Sequence, residues 1–391
     1  MASTNGSDDH HDQLDQDPGE AIDDLTRSLR EALADDHPLP FLAQAASLTQ
    51  ALGPHAGADA PESPDPETVL SAFVGSGDRT MQAMAYAIAR LAGDHHLQAE
   101  VDQRLGSEIA QLPTWLQRLD RIRPTSALQA IDPTFAGANI AVGADLDGHQ
   151  LTMVGFIDFD LGSALTDAYL LDAPPEEYAQ MWSLMGATSS QDPIDPADAR
   201  ARWEAATLIG DRTEPPYETD TWPVCRPIVE LLLNTLPTGG ADFAAFDLSE
   251  AERRLLISTV AASEQLGSLR TDPDLETVVD LLLDFRNEHN DPLLWSSKAV
   301  EIFLSHYAPR RLMAPREFMI KFPPVLRAVI SAGLRIRNLP EEEFAEALDA
   351  VDDYGPAFEA ALDQRDRIAQ GEDERAAALR EMLGHDRPAD S

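Results

Sequence analysis

Apolar side chains recur at helical spacing over most of the chain. Ile22, Leu25, Leu29 and Leu33 form one stripe, and the run from Pro38 through Leu52 continues helical sequence up to Gly53. A second block, from Glu67 to about Leu119, sets Val69, Phe73, Met84, Ile88, Leu91, Val101, Leu105, Ile109 and Leu112 at helix-compatible intervals. Gly-Ser-Gly-Asp and Gly-Asp-His-His interrupt it, which predicts two or three helices. The pattern changes at Ala138, where two strand-like apolar runs flank Asp147-Gly148, a dipeptide suited to the left-handed positions of a tight hairpin turn. A third run, Ala164 to Leu171, follows Leu161-Gly162-Ser163. Connections this short make an antiparallel meander, because parallel neighbours need a crossover of about a dozen residues.

After Pro174 the helical period returns. Ser249 with Glu252 predicts a capping box ahead of Arg253 to Val260, and Leu275, Val278, Val279 and Leu282 follow the i, i+3, i+4, i+7 rule. Val300, Phe303, Leu304 and Tyr307 repeat it, as do Phe344, Ala347, Leu348 and Val351. Ser296 reads as an N-cap behind Trp295, which is expected to anchor the core of a bundle. Pro309 is expected to stop that helix and Pro323-Pro324 to open the next. In that next helix Leu326, Val329, Ile330 and Leu334 face inward, with Arg327, Arg335 and Arg337 outward.

The expected fold class is therefore α+β, predominantly helical, with a small antiparallel β-meander in the middle and a C-terminal helical domain. The expected organisation is a disordered acidic tail at 1–20, N-terminal helices at 21–53, and a Gly-, Pro- and acid-rich linker at 54–66. An α+β domain at 67–221 carries the meander at 138–172, followed by a helical domain at 222–364 and a charged tail at 365–391.

Charge narrows the partners. The 391 residues carry 29 basic against 69 acidic side chains, a formal net charge of -40, which repels nucleic-acid phosphates and the anionic face of a membrane. The N-terminus has neither a basic start nor an apolar core, and no apolar run is long enough to span a bilayer, so a cytoplasmic protein without a membrane partner is expected. Cys225 is the single cysteine and lies in an apolar stretch, where a small buried hydrophobe is expected and no intrachain disulfide is available.

Two features carry candidate chemistry. In Gly155-Phe-Ile-Asp158-Phe-Asp160-Leu-Gly162, two acids two residues apart on a strand project to one face, an arrangement that holds a divalent cation near a phosphate. The competing reading is that Asp158, Asp160 and Asp167 occupy the wet face or turns of a half-buried sheet. The second feature is a basic island from His306 to Asn338. It contains Arg310, Arg311, Arg316, Lys321, Arg327, Arg335 and Arg337 against Glu317 alone. Its arginine forks suit a phosphate, a carboxylate or an acidic partner segment, unless they pair with the chain's own acids such as Glu341, Glu342 and Glu343. His95 and His96 are adjacent, which on a helix points them about 100° apart and makes a shared metal site poor geometry. His289 stands beside Asn290-Asp291-Pro292, which reads as a helix stop.

Three resemblances add expectations. The Asp-x-Asp of the meander resembles the nucleophile motif of haloacid-dehalogenase-like phosphatases, although Leu161 precedes the glycine and no alternating parallel strands and helices follow. The order Gly137-Ala-Asn139, Asp147-Gly148, Gly155-Phe-Ile-Asp158 resembles aminoglycoside-phosphotransferase-like kinases, and implies Asn139 and Asp158 as magnesium ligands. Thr134 stands where that family's catalytic base belongs, with Asp132 displaced by two, and residues 1 to 120 contain no lysine. Finally, Phe156 to Gly162 with Asp167-Ala168-Tyr169, and Asp291-Pro-Leu-Leu-Trp295-Ser296 through Arg327-Ala328, resemble two blocks of an uncharacterised family of high-GC bacterial proteins.

These observations favour a non-catalytic interaction or regulatory protein without a cofactor, in which Arg310, Arg311, Arg316, Arg327, Arg335 and Arg337 meet an acidic partner protein or the chain's own tail. The alternative is a magnesium-dependent, kinase-like enzyme acting on a phosphorylated or nucleotide substrate through Asp158, Asp160 and Asn139.

Overall fold

The computed structural model describes residues 18–53, 65–184, 191–217, 219–286 and 289–385. Most of the acidic tail expected at 1–20 and of the linker expected at 54–66 lies outside them. Helices Pro18–Ala34 and Leu39–Leu52 come first, followed by Pro66–Gly75, Arg79–Leu91 and His95–Leu105. The last three begin on Asp65, Asp78 and Asp94, whose carboxylates accept from first-turn N–H groups that have no partner within the helix. Arg79–Leu91 is buried along nearly its whole length. Its alanines let the other helices close around it.

Five strands follow, β1 (Arg123–Ile131), β2 (Gly137–Leu146), β3 (His149–Asp158), β4 (Ala164–Leu171) and β5 (Gln191–Pro193), in the antiparallel order β4-β3-β2-β1-β5. The protein is thus α+β and mainly helical, with the meander in the middle. Asp147 (φ 57°) and Gly148 (φ 97°) make the β2–β3 turn that their sequence predicts. The sequence does not announce β1, because Arg-Pro-Thr-Ser lacks apolar residues and its strand character comes from pairing with β2.

At its centre the sheet is covered on both faces, contrary to the wet-face reading, while β1 and β4 stay largely half-buried. Helix Pro196–Gly210 covers one face, and its Trp203 lies so close to β3 that a Cβ on Gly155 would sit 2.4 Å from the indole. The other face packs Ala141 and Val154 against Tyr178 of helix Pro175–Leu184. Strands β2 and β3 are consequently buried almost throughout.

Two hydrophobic cores result. The first runs from Leu29 to Leu236 and unites the N-terminal helices, the sheet and helix Arg226–Leu233; the second runs from Leu256 to Leu362. The chain passes between them at 237–249, and helix Arg226–Leu233, read from sequence with the C-terminal helices, packs with the first core. That helix is strongly amphipathic and uses Ile228, Val229, Leu232 and Leu233 against the first core.

In the second core the capping box of Ser249 and Glu252 forms as expected, and Ser296 accepts from Ala299 N. Trp295 is fully buried beside Phe285 and Phe303. Pro309 does not stop its helix. A wider π-turn at Ile302–Tyr307 precedes it, and helical backbone resumes through Arg311. Helix Phe322–Arg337 and the long helix Ala345–His385 complete the bundle. No helix among the described residues is long and apolar enough to cross a membrane.

Candidate functional site

Strand β3 ends at Asp158, and residues 159–161 form a single 3₁₀ turn that Asp158 caps by accepting from Leu161 N at 3.1 Å. Asp160 therefore sits in a turn and not on the strand, which corrects the reading that strand alternation places both acids on one face. The turn nevertheless brings both to one cleft of about 440 Å³ between the two cores, lined also by Asp132, Thr134, Phe156, Trp295, Ser297, Lys298 and Glu346.

Each carboxylate is held by the other core. Asp158 is 3% exposed, and its Oδ2 accepts from Lys298 Nζ at 2.6 Å. Asp160, with its side chain 1% exposed, lies 2.9 Å from Nη1 of Arg286, whose own side chain is 2% exposed. It also accepts from Asn290 Nδ2 at 3.3 Å and from Ser296 Oγ at 2.5 Å. Ser296 uses its one hydroxyl twice, donating to Asp160 while accepting from Ala299 N as the helix cap.

Two flanking contacts extend the clamp. Asn290 Nδ2 donates to the carbonyl of Phe135 at 2.6 Å, and Ser163 Oγ lies 2.7 Å from His289 Nδ1. Gly162 and Ser163 both adopt left-handed φ, 75° and 66°, the conformation that turns the chain back into β4. Arg286 also stacks over Trp295 at 5.1 Å, and its Nε and Nη2 have no hydrogen-bond partner among the described residues.

Burial pushes the Asp158 carboxyl above its ordinary 3.8, against the downward pull of Lys298. A raised carboxyl value means that the folded protein holds the proton more tightly than the unfolded chain. That contribution is complete below 3.8 and is lost as pH rises through the raised value. In Asp158→Asn the amide oxygen still accepts from Leu161 N, and Lys298, with 47% of its side chain exposed, relaxes into water. The variant is expected to stay within about 1 kcal/mol of the parent at neutral pH and to lose this part of the pH dependence. Urea unfolding at several pH values checks both. A loss above about 2 kcal/mol at neutral pH would count the Asp158–Lys298 pair among the strong contacts of the clamp.

Asn139 is not part of this group. It lies on β2 opposite Phe156 and lines a separate cavity of about 10 Å³ with Tyr178 and Gln191. The magnesium set of Asp158, Asp160 and Asn139 is therefore not assembled. The two acids themselves leave little for a hard cation that demands a near-octahedral oxygen shell, since all four of their oxygens already accept from this chain's own groups.

The basic island is largely consumed within the protein. Arg316 pairs with Asp363, Lys321 with Asp272 and Asp274, Arg327 with Asp352, and Arg337 with Asp291 and Glu252. The Arg337 guanidinium, helped by Ser249, holds Glu252 down to about 2. Glu341 and Glu342, the neighbours suggested by sequence, take none of these bridges. Arg327 and Arg337 are half-buried rather than outward-facing. Arg310, Arg311 and Arg335 remain exposed, with no ion pair among the described residues. Cys225 is buried as expected, and burial pushes its thiol up to about 12.

Sequence reasoning missed Arg286, Asn290 and Ser296 as partners of Asp160, and Lys298 as the partner of Asp158. One signal was present: Lys298 is one of two lysines in the chain and stands two residues after the predicted N-cap. No protein-family model, curated protein or solved structure matches the chain.

Proposed function

We propose that the protein is a non-catalytic binding protein, and that the cleft between its cores receives a positively charged group of a partner. The observation that carries this is the engagement of Asp158 and Asp160. Their charges are spent on Lys298 and Arg286, so the pair acts as a fastening between two cores instead of an open catalytic dyad. The same cleft keeps Asp132 Oδ2 and the Glu346 carboxylate without a partner among the described residues, beside the ring of Phe156. Carboxylates next to an aromatic face suit an alkylammonium or guanidinium group, such as a lysine or arginine side chain presented by a protein. The volume falls within the range of small-ligand clefts, about 300–1,000 Å³.

This reading moves the binding surface from the basic island to the cleft, because the island's charges are mostly paired internally. Thermal unfolding of the full chain tests it against the kinase-like alternative. Agmatine, a guanidinium on an alkylammonium, is expected to raise Tm saturably in the parent and much less in Asp132→Asn/Glu346→Gln. A ligand at a hundred times its Kd adds about 2.7 kcal/mol. Magnesium with ATP is expected to shift nothing. A magnesium-ATP shift that disappears in Asp158→Asn would replace the binding reading with the enzymatic one.

A further inference from the structure

Far from the cleft, the N-terminal halves of two neighbouring helices bring together a second constellation. His96 and Glu100 lie four residues apart on helix His95–Leu105 and so share one face, while Glu67 approaches from helix Pro66–Gly75. One ligand-competent atom from each of the three lies within 4.8 Å of the others. His96 Nδ1 is already 3.7 Å from Glu67 Oε1. We infer that Glu67, His96 and Glu100 form a surface site for a borderline transition-metal dication of the zinc class, with solvent completing the shell.

The geometry fits that class of ion. Ligands at about 2.0–2.2 Å around a tetrahedral centre stand roughly 3.4 Å apart. The His96–Glu67 edge, at 3.7 Å, is close to that value, and the remaining edges, at most 4.8 Å, need a contraction of up to about 1.4 Å, within reach of side-chain rotation from backbones fixed in helices. Two carboxylates with one imidazole select zinc, cobalt or nickel over magnesium and calcium, which bind through oxygen alone.

The competing cation near the site is already tethered. Arg104 reaches Glu100 Oε1 at 2.7 Å and also donates to Ser71 on the other helix, so one Glu100 oxygen remains for an ion. His95, the adjacent histidine, is about 100° away around the helix and takes no part. Sequence reasoning set this region aside because two adjacent histidines cannot share a metal. The site uses one of them, with a carboxylate one turn along and a second from the neighbouring helix. A bound ion would cross-link the two helices.

The test is equilibrium titration of the EDTA-treated, dialysed full chain with zinc chloride, with cobalt(II) absorption as the spectroscopic readout. His10 and His11 in the N-terminal segment are a rival source of binding, so His10→Ala/His11→Ala is titrated in parallel. The inference expects one saturable zinc equivalent in both proteins and a higher Tm on loading. It also expects affinity at least about tenfold weaker in His96→Ala and in Glu100→Gln, and no change in His95→Ala. His95 and His96 are exposed and Glu100 is half-buried with Arg104 as its partner, so none of these three substitutions opens a cavity in either core. Binding that persists in His96→Ala and vanishes in His10→Ala/His11→Ala would overturn the assignment, as would the absence of saturable binding to the parent.

Discussion

Replacing Asp160 with alanine is expected to cost about 3–5 kcal/mol of folding stability, because it strands the fully buried guanidinium of Arg286. Nothing nearby substitutes for it. Asp291 is closest in charge, but both of its oxygens already serve Arg337. The loss also removes the acceptor of Ser296 Oγ and one of the two acceptors of Asn290 Nδ2, which keeps the Phe135 carbonyl. Urea unfolding followed by tryptophan fluorescence measures the cost. A second transition is expected to separate from the first, since the two cores are then fastened by the half-exposed Asp158–Lys298 pair and the Ser163–His289 and Asn290–Phe135 contacts. Asp160→Leu/Arg286→Met is expected to recover most of the stability, because an apolar pair of similar volume pays no desolvation. A single Asp160→Ala cost below about 1 kcal/mol would show that the pair is not a fastening at all.

The second large effect is expected at Trp203, which is fully buried over Gly155 in the first core. Trp203→Ala removes the plate that covers the middle of β3 and leaves a void the sheet cannot close, a loss of about 3–5 kcal/mol. Trp203→Phe is expected to cost much less. The indole N–H has no hydrogen-bond partner among the described residues, so the smaller ring discards an unmade bond along with some contact area. The reciprocal change, Gly155→Ala, pushes a methyl group into the indole and should cost about 1–3 kcal/mol. Calorimetric unfolding separates these cases, and equal costs for Trp203→Ala and Trp203→Phe would contradict the account.

What the sequence conveyed followed the range of the interaction. The Asp147-Gly148 turn, the span of β4 and the capping box of Ser249 depend on residues within a few positions of one another, and they stand as read. Strand β1 did not stand out, because its backbone is claimed by β2 and not by its own side chains. Asp158 and Asp160 were recognisable as special, but not what makes them so. Asn290 and Ser296 follow Asp160 by 130 and 136 residues, and no periodicity links positions that far apart. The basic island failed for the same reason. Local counting gave an excess of positive charge, while the neutralising acids Asp272, Asp291 and Asp363 lie outside the counted window.

The order of the two cores along the chain has a consequence for biosynthesis. Every member of the first core precedes every member of the second, so the first is fully translated before the second begins. Asp160 leaves the ribosome 130 residues ahead of Asn290, a delay on the order of ten seconds at cellular elongation rates. Throughout that interval the two carboxylates at and just beyond the end of β3 lack the ammonium and guanidinium that hold them in the finished protein. A nascent chain is thus marked by two uncompensated acids at the end of its sheet until Arg286 and Lys298 are made.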